Sequence, residues 1–151
     1  MKIELNPIAS VKNSRSTPID DNWSEIISEI ILEDRIPSEA LTGIEQFSHL
    51  EIIYCFDKVK PEEIIYSGYP RGNKNYPLTG IFAQRKKDRP NRIGLCTVEL
   101  IEHTGKILRV KNLDAIDGTP VLDIKPVMKE FGARGVILQP DWATELMKNY
   151  W

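Results

Sequence analysis

Ile93-Gly-Leu-Cys-Thr-Val-Glu-Leu-Ile101 and Lys106-Ile-Leu-Arg-Val-Lys111, joined through His103-Thr104-Gly105, decide the fold. Both runs are rich in β-branched and apolar residues, and a short polar connection containing Gly between two such runs is a hairpin signature. Upstream, Leu50-Glu-Ile-Ile-Tyr-Cys-Phe56 is an almost unbroken apolar run and predicts a strand buried on both faces. Downstream, Val121-Leu-Asp-Ile124 predicts a short strand interrupted by Pro126. Lys2 to Val11 alternates weakly and predicts a first strand ending in the polar turn Lys12-Asn-Ser-Arg-Ser16. Turns, not regular crossover helices, separate these strands. The chain therefore reads as mainly β (α+β), an antiparallel sheet or barrel with a few short helices and no doubly wound core.

Helical signals are fewer. Trp23 to Leu32 fits two periods: apolar positions 23, 26, 27, 30 and 31 suit a helix capped by Asp21 or Asn22, whereas the Ile-rich alternation suits a strand. Period alone leaves both open. Pro37-Ser-Glu-Ala-Leu-Thr-Gly43 predicts a short helix with Pro at its start and Gly at its end. Asp57 to Thr79 is rich in Pro, Gly, Asn, Lys and Tyr and predicts a long connection with few core residues. After Pro140, apolar residues at 142, 146, 147 and 150 predict a docked amphipathic helix over Asp141 to Tyr150 with an Asp cap.

The chain has 151 residues, which suits one domain over 1–151 with a core able to stand without staples. Apolar residues make up 41% and charged residues 28%, the balance of a globular chain that neither spans a membrane nor stays disordered. The start, Met1-Lys-Ile-Glu-Leu-Asn-Pro7, puts an acid and a proline where a signal peptide needs apolar residues, so the cytoplasm is the expected location. Cys55 and Cys96 lie far apart within apolar stretches, and His49 and His103 are isolated, so no metal site is expected. The net charge of -2 argues against a wholly nucleic-acid-coating surface. Arg85, Lys86, Lys87, Arg89 and Arg92 nevertheless fall within eight residues, opposed only by Asp88. They form either a solvated loop or a phosphate-facing patch.

Special residues concentrate between Gly80 and Pro126. Gly80-Ile-Phe-Ala-Gln-Arg85, Arg89-Pro-Asn-Arg-Ile-Gly94 and Leu113-Asp-Ala-Ile-Asp-Gly-Thr-Pro-Val-Leu-Asp-Ile-Lys-Pro126 set charged groups beside fixed turns, which suits a polar or anionic ligand. With Phe47-Ser-His-Leu50 ahead of them, these ordered motifs closely resemble the TrmO/YaeB family of S-adenosylmethionine-dependent tRNA methyltransferases. The resemblance covers nearly all of the chain up to Pro126. The chain departs from the common pattern at Gln84, Arg92 and Val127, and resembles the short form that lacks an additional C-terminal domain.

Resemblance implies a small β-barrel-like domain, S-adenosylmethionine as methyl donor, a homodimer, and methylation of N6 of threonylcarbamoyladenosine next to the anticodon of tRNA. Methylation of another nucleotide or a small molecule, and a donor-binding module without catalysis, are the alternatives. No Gly-x-Gly-x-x-Gly turn of a Rossmann sheet is present. By resemblance Asp57, Lys58, Arg85, Leu95, Asp114, Ala115, Ile116 and Asp117 correspond to donor-contacting positions, with the Thr17 to Asp20 loop as a further contributor. Asp117 and Asp123 are candidates for proton removal beside direct loss to water, and Asn91 for a base edge or its own turn. Arg71, Lys86, Lys87, Arg89 and Arg92 are the candidate RNA contacts, arginine forks matching phosphate oxygens, with Tyr69 or Tyr76 offering a ring to a base.

Overall fold

A computed structural model describes residues 1–151. The strands are β1 (Ala9–Lys12), β2 (Ile27–Leu32), β3 (His49–Cys55), β4 (Ser67–Gly68), β5 (Thr79–Gly80), β6 (Ile93–Thr104), β7 (Ile107–Lys111) and β8 (Pro120–Pro126). Six of them close into an antiparallel barrel in the order β1-β2-β7-β6-β3-β8, and β4 with β5 forms a separate ribbon. The hairpin forms as expected, with the left-handed Gly105 in its turn. A closed barrel leaves no open edge, so every long strand has two neighbours.

Closure decides which side chains are inside. In β3, Leu50, Ile52 and Tyr54 are buried while the alternate Glu51, Ile53 and Cys55 are only half-buried. The expected burial of β3 on both faces is therefore corrected: one face lines the barrel and the other is its outer wall. In β2 the alternation prevails, with Ser28, Ile30 and Leu32 inward, and Trp23–Glu25 forms a separate 3₁₀ turn. The helical period over 23–31 fails because Ile26 is already extended (φ -99°, ψ 122°) and the β-branched run pairs with both β1 and β7.

Other boundaries move for identifiable reasons. Residues 1–7 form no strand. Pro7 has no N–H for a ladder, and pairing starts after it, with Ile8 N–H on the Val121 carbonyl at 2.8 Å. Pro126 does not interrupt β8; it is the last residue of that strand, opposite Leu50, and Val127 N–H bonds the His49 carbonyl. The 37–43 segment is a 3₁₀ turn, Ser38–Leu41, followed by Gly43 at φ 85°. The final helix α1 is confined to Asp141–Leu146, and Asp141 makes no cap bond because Pro140 occupies the cap position.

Strand directions place the chemistry. Because neighbours are antiparallel, one mouth of the barrel collects the end of β1, the start of β2, the end of β7, the start of β6, the end of β3 and the start of β8. The loops 13–26, 56–58, 90–92 and 112–119 therefore meet there. The other mouth is plugged by the 3₁₀ turns of 38–46 over Ile8, Leu32 and Ile124.

Candidate functional site

Tyr54 is the inward residue of β3 nearest the loop-bearing mouth, and its ring is 1% exposed. Its hydroxyl donates to Asp114 Oδ1 at 2.6 Å and to the Asp114 carbonyl at 3.1 Å. Tyr150, after α1, donates to Asp114 Oδ2 at 2.5 Å. Both carboxylate oxygens are thus held by phenols. Burial first, and then the neighbouring Asp114 carboxylate, push the Tyr54 and Tyr150 hydroxyls well above the usual 10.0, so both remain donors. Gly94 makes this possible: a Cβ there would lie 2.5 Å from Cε2 and Cζ of the Tyr54 ring. Cys96, whose thiol burial pushes up, donates to the Asn112 carbonyl just before the same loop.

The loop itself is sewn to the end of β1. Asn13 Nδ2 donates to the Ala115 carbonyl at 2.8 Å and to the buried Ser28 hydroxyl at 2.9 Å. Asn13 N–H donates to Asp117 Oδ1 at 3.0 Å, and Asn13 Oδ1 accepts from Arg15 N–H. Asp117 N–H bonds the Arg15 carbonyl and Gly118 N–H the Val11 carbonyl, each at 2.7 Å. The Arg15 guanidinium caps the Trp23 ring 4.3 Å from its centre and binds the Asp21 and Asn22 carbonyls. Against this network the N–H groups of Asp114, Ala115 and Ile116 donate to no protein acceptor, although Ala115 is only 3% exposed. Unpaired donors at a buried turn are what a bound acceptor would satisfy.

The residues singled out from sequence divide accordingly. Asp114, Ala115, Ile116 and Asp117 share this loop. Arg85 Nη2 donates to the Leu95 carbonyl at 2.5 Å, which joins two more, and the Leu95 side chain is 43% exposed. Arg85 also acts electrostatically on Tyr150, so the pair stands beside the Asp114 cluster. Asp57 and Lys58 follow β3 at the same mouth and pair with each other at 3.0 Å. Asn91 (φ 65°) and Arg92 (φ 53°) are both left-handed, and the exposed Asn91 side chain has no partner in the protein. Asp123 lies elsewhere, two places along β8 from Val121, paired to Lys125 at 2.6 Å and lining the apolar hollow at the plugged mouth.

The basic residues are largely engaged. Arg71 pairs with Asp21 at 2.8 Å, Lys86 with Asp88 at 3.1 Å, Arg89 donates to the Gln84 carbonyl and Arg92 to the Val59 carbonyl. Lys87 is exposed without a carboxylate partner. Tyr76 packs on Trp142, ring centres 6.3 Å apart, while Tyr69 is 36% exposed. Asn13, Arg15, Tyr54 and Tyr150 are site residues that sequence reasoning did not single out. A lone Tyr in an inward strand register carried a signal, since a buried phenol needs a partner; Tyr150 carried none.

The geometry can be set beside known proteins. The tRNA-methyltransferase O N-terminal domain pattern matches residues 8–133. The chain belongs to this family. The match includes all six barrel strands and every residue of the 112–119 loop. A probable S-adenosyl-L-methionine-binding protein of Pyrococcus abyssi is 44% identical over 64% of this chain and 50% of its own length. The Escherichia coli tRNA (adenine(37)-N6)-methyltransferase is 39% identical over 60% of this chain and 40% of its own. Among family structures, TrmO from Pseudomonas aeruginosa superposes with a TM-score of 0.72 at 26% identity, over 90% of this chain and 61% of that one. The chain thus spans about half the length of such relatives.

Proposed function

We propose that the barrel mouth binds S-adenosylmethionine and that the protein, acting as one domain, methylates N6 of threonylcarbamoyladenosine beside the anticodon of tRNA. The observation that carries this reading is the fixed Asp114–Asp117 loop with unpaired N–H groups, in a chain of the tRNA-methyltransferase O family. The donor set fits the ligand. Arg85 suits its carboxylate, Asp57 and Asp114 its hydroxyls or ammonium, the N–H groups of 114–116 its ring acceptors, and Leu95 its apolar edge. When bound, S-adenosylmethionine supplies an activated methyl group, for which alignment matters more than acid chemistry.

The chain's own residues then orient and deprotonate. Asp117 is exposed, with Oδ1 fixed by Asn13, and is the group we assign to receive the N6 proton. Asp123 is tied to Lys125 and is not used. Asn91, presented on a left-handed turn without a partner, contacts the substrate base. A homodimer in the cytoplasm completes the proposal. The exposed Phe131, Val136, Ile137 and Leu138 favour an apolar contact between copies, which a monomeric mass in light scattering would contradict.

The test is methyl transfer to tRNA with and without the threonylcarbamoyl group. Methylation of the modified tRNA alone is expected, and efficient methylation of unmodified tRNA would remove the substrate assignment. The engagement of Arg71, Lys86, Arg89 and Arg92 within the protein favours one other reading, a substrate smaller than tRNA. Activity insensitive to salt on a nucleoside would support it, because phosphate contacts weaken steeply with salt.

A further inference from the structure

The motif Gly80-Ile-Phe-Ala-Gln-Arg85 holds one large side chain that stands outside the core. Ile81 is buried, at 1% exposure, and its N–H bonds the Tyr66 carbonyl at 2.9 Å. Gln84 is buried and its Nε2 donates to the Gly68 carbonyl at 3.0 Å and the Thr79 carbonyl at 2.8 Å. Arg85 holds Leu95, as above. Phe82, between these anchors in the 3₁₀ turn Ile81–Ala83, is 78% exposed. Tyr66, just before β4 and joined to Ile81 across the β4-β5 ribbon, is 75% exposed. Two large aromatic rings therefore stand out from a rigid frame at one end of the ribbon.

Their surroundings identify the occupant. Within ten residues of Phe82 lie Lys87, exposed and without a partner, and Arg85, Arg89 and Arg92, which donate to the Leu95, Gln84 and Val59 carbonyls but meet no carboxylate and so keep their charge, while Lys86 pairs with Asp88. Flat exposed rings followed closely along the chain by unneutralised cations match an unpaired nucleotide, whose base stacks on a ring while its phosphate meets a cation. Resting on the tRNA reading above, we propose that Phe82, supported by Tyr66, is the stacking platform for an unpaired base of the substrate's anticodon loop. The sequence offered Tyr69 or Tyr76 for this role. Tyr76 is instead packed on Trp142 and Tyr69 is only 36% exposed, whereas Tyr66 and Phe82 are about twice as open.

The experiment is binding of a fluorescent anticodon stem-loop carrying the threonylcarbamoyl group and of a fully paired duplex of equal length, measured for the wild type, Phe82→Ala and Phe82→Trp. The wild type should prefer the stem-loop. Phe82→Ala should weaken stem-loop binding about tenfold, within the range found for stacking on aromatic side chains, with little change on the duplex. Phe82→Trp should retain affinity. Thermal melting should match the wild type, because the ring is outside the core. Equal stem-loop affinity in Phe82→Ala would overturn the platform while leaving the tRNA reading intact, and no RNA binding by the wild type would overturn both. A fall in mass on Phe82→Ala, read by light scattering, would assign the ring to contact between copies and also overturn the proposal.

Discussion

At the residue scale the account rests on Asp114 and the two phenols that hold it. Replacing Tyr54 by Phe removes one donor from a carboxylate and should cost about 1.5–3 kcal/mol of stability, read as a lower urea midpoint. Both hydroxyls titrate above 10.0 in the folded chain, for the reasons given. A group whose folded value is raised stabilises fully below its unfolded value and loses that contribution as pH climbs toward the folded one. Stability should therefore be level through neutral pH and fall beyond about pH 10, and the Tyr54→Phe, Tyr150→Phe double variant should fall less. An identical alkaline loss in the double variant would contradict the assignment. The Asp114 to Asp117 run was legible in the sequence as a motif. Its partners were not, because Asn13 sits in an ordinary polar turn and Tyr150 lies 36 residues from Asp114. Nothing local to either residue encodes such a contact.

At the element scale, the hairpin and β3 could be read directly, since β-branched runs and a Gly turn act over short range. Trp23 to Leu32 could not, because both periods fit until the barrel supplies neighbours for β2 on each side. The same closure converts the apolar run of β3 from a doubly buried strand into a wall with one inner face. It also explains Gly94, whose missing side chain lets β6 pass over the Tyr54 ring. Gly94→Ala should cost about 1–3 kcal/mol by overpacking, and should loosen Asp114 as Tyr54 is displaced. Comparison of its thermal midpoint and donor affinity with those of the wild type checks both. An unchanged pair of values would show that the close approach is relieved at no cost.

At the scale of the molecule, antiparallel closure gathers six strand ends at one mouth and leaves the other plugged, so the binding groups come from positions as distant as 13 and 150. The net charge of -2 leaves the proposed RNA contact to local features, the exposed Phe82 and Tyr66 rings at the β4-β5 ribbon and, in the 85–92 loop, Lys87, which has no carboxylate partner. Composition alone placed neither, since it averages over surfaces that the fold separates. The central claim is that the mouth built on Asp114 binds the methyl donor. Calorimetric titration with S-adenosylmethionine of the wild type and of Asp114→Asn tests it most directly. Saturable binding by the wild type below roughly 100 µM, about -5.5 kcal/mol, is expected, weakened at least about tenfold in the variant. Absence of binding by the wild type, or equal affinity in the two proteins, would contradict it.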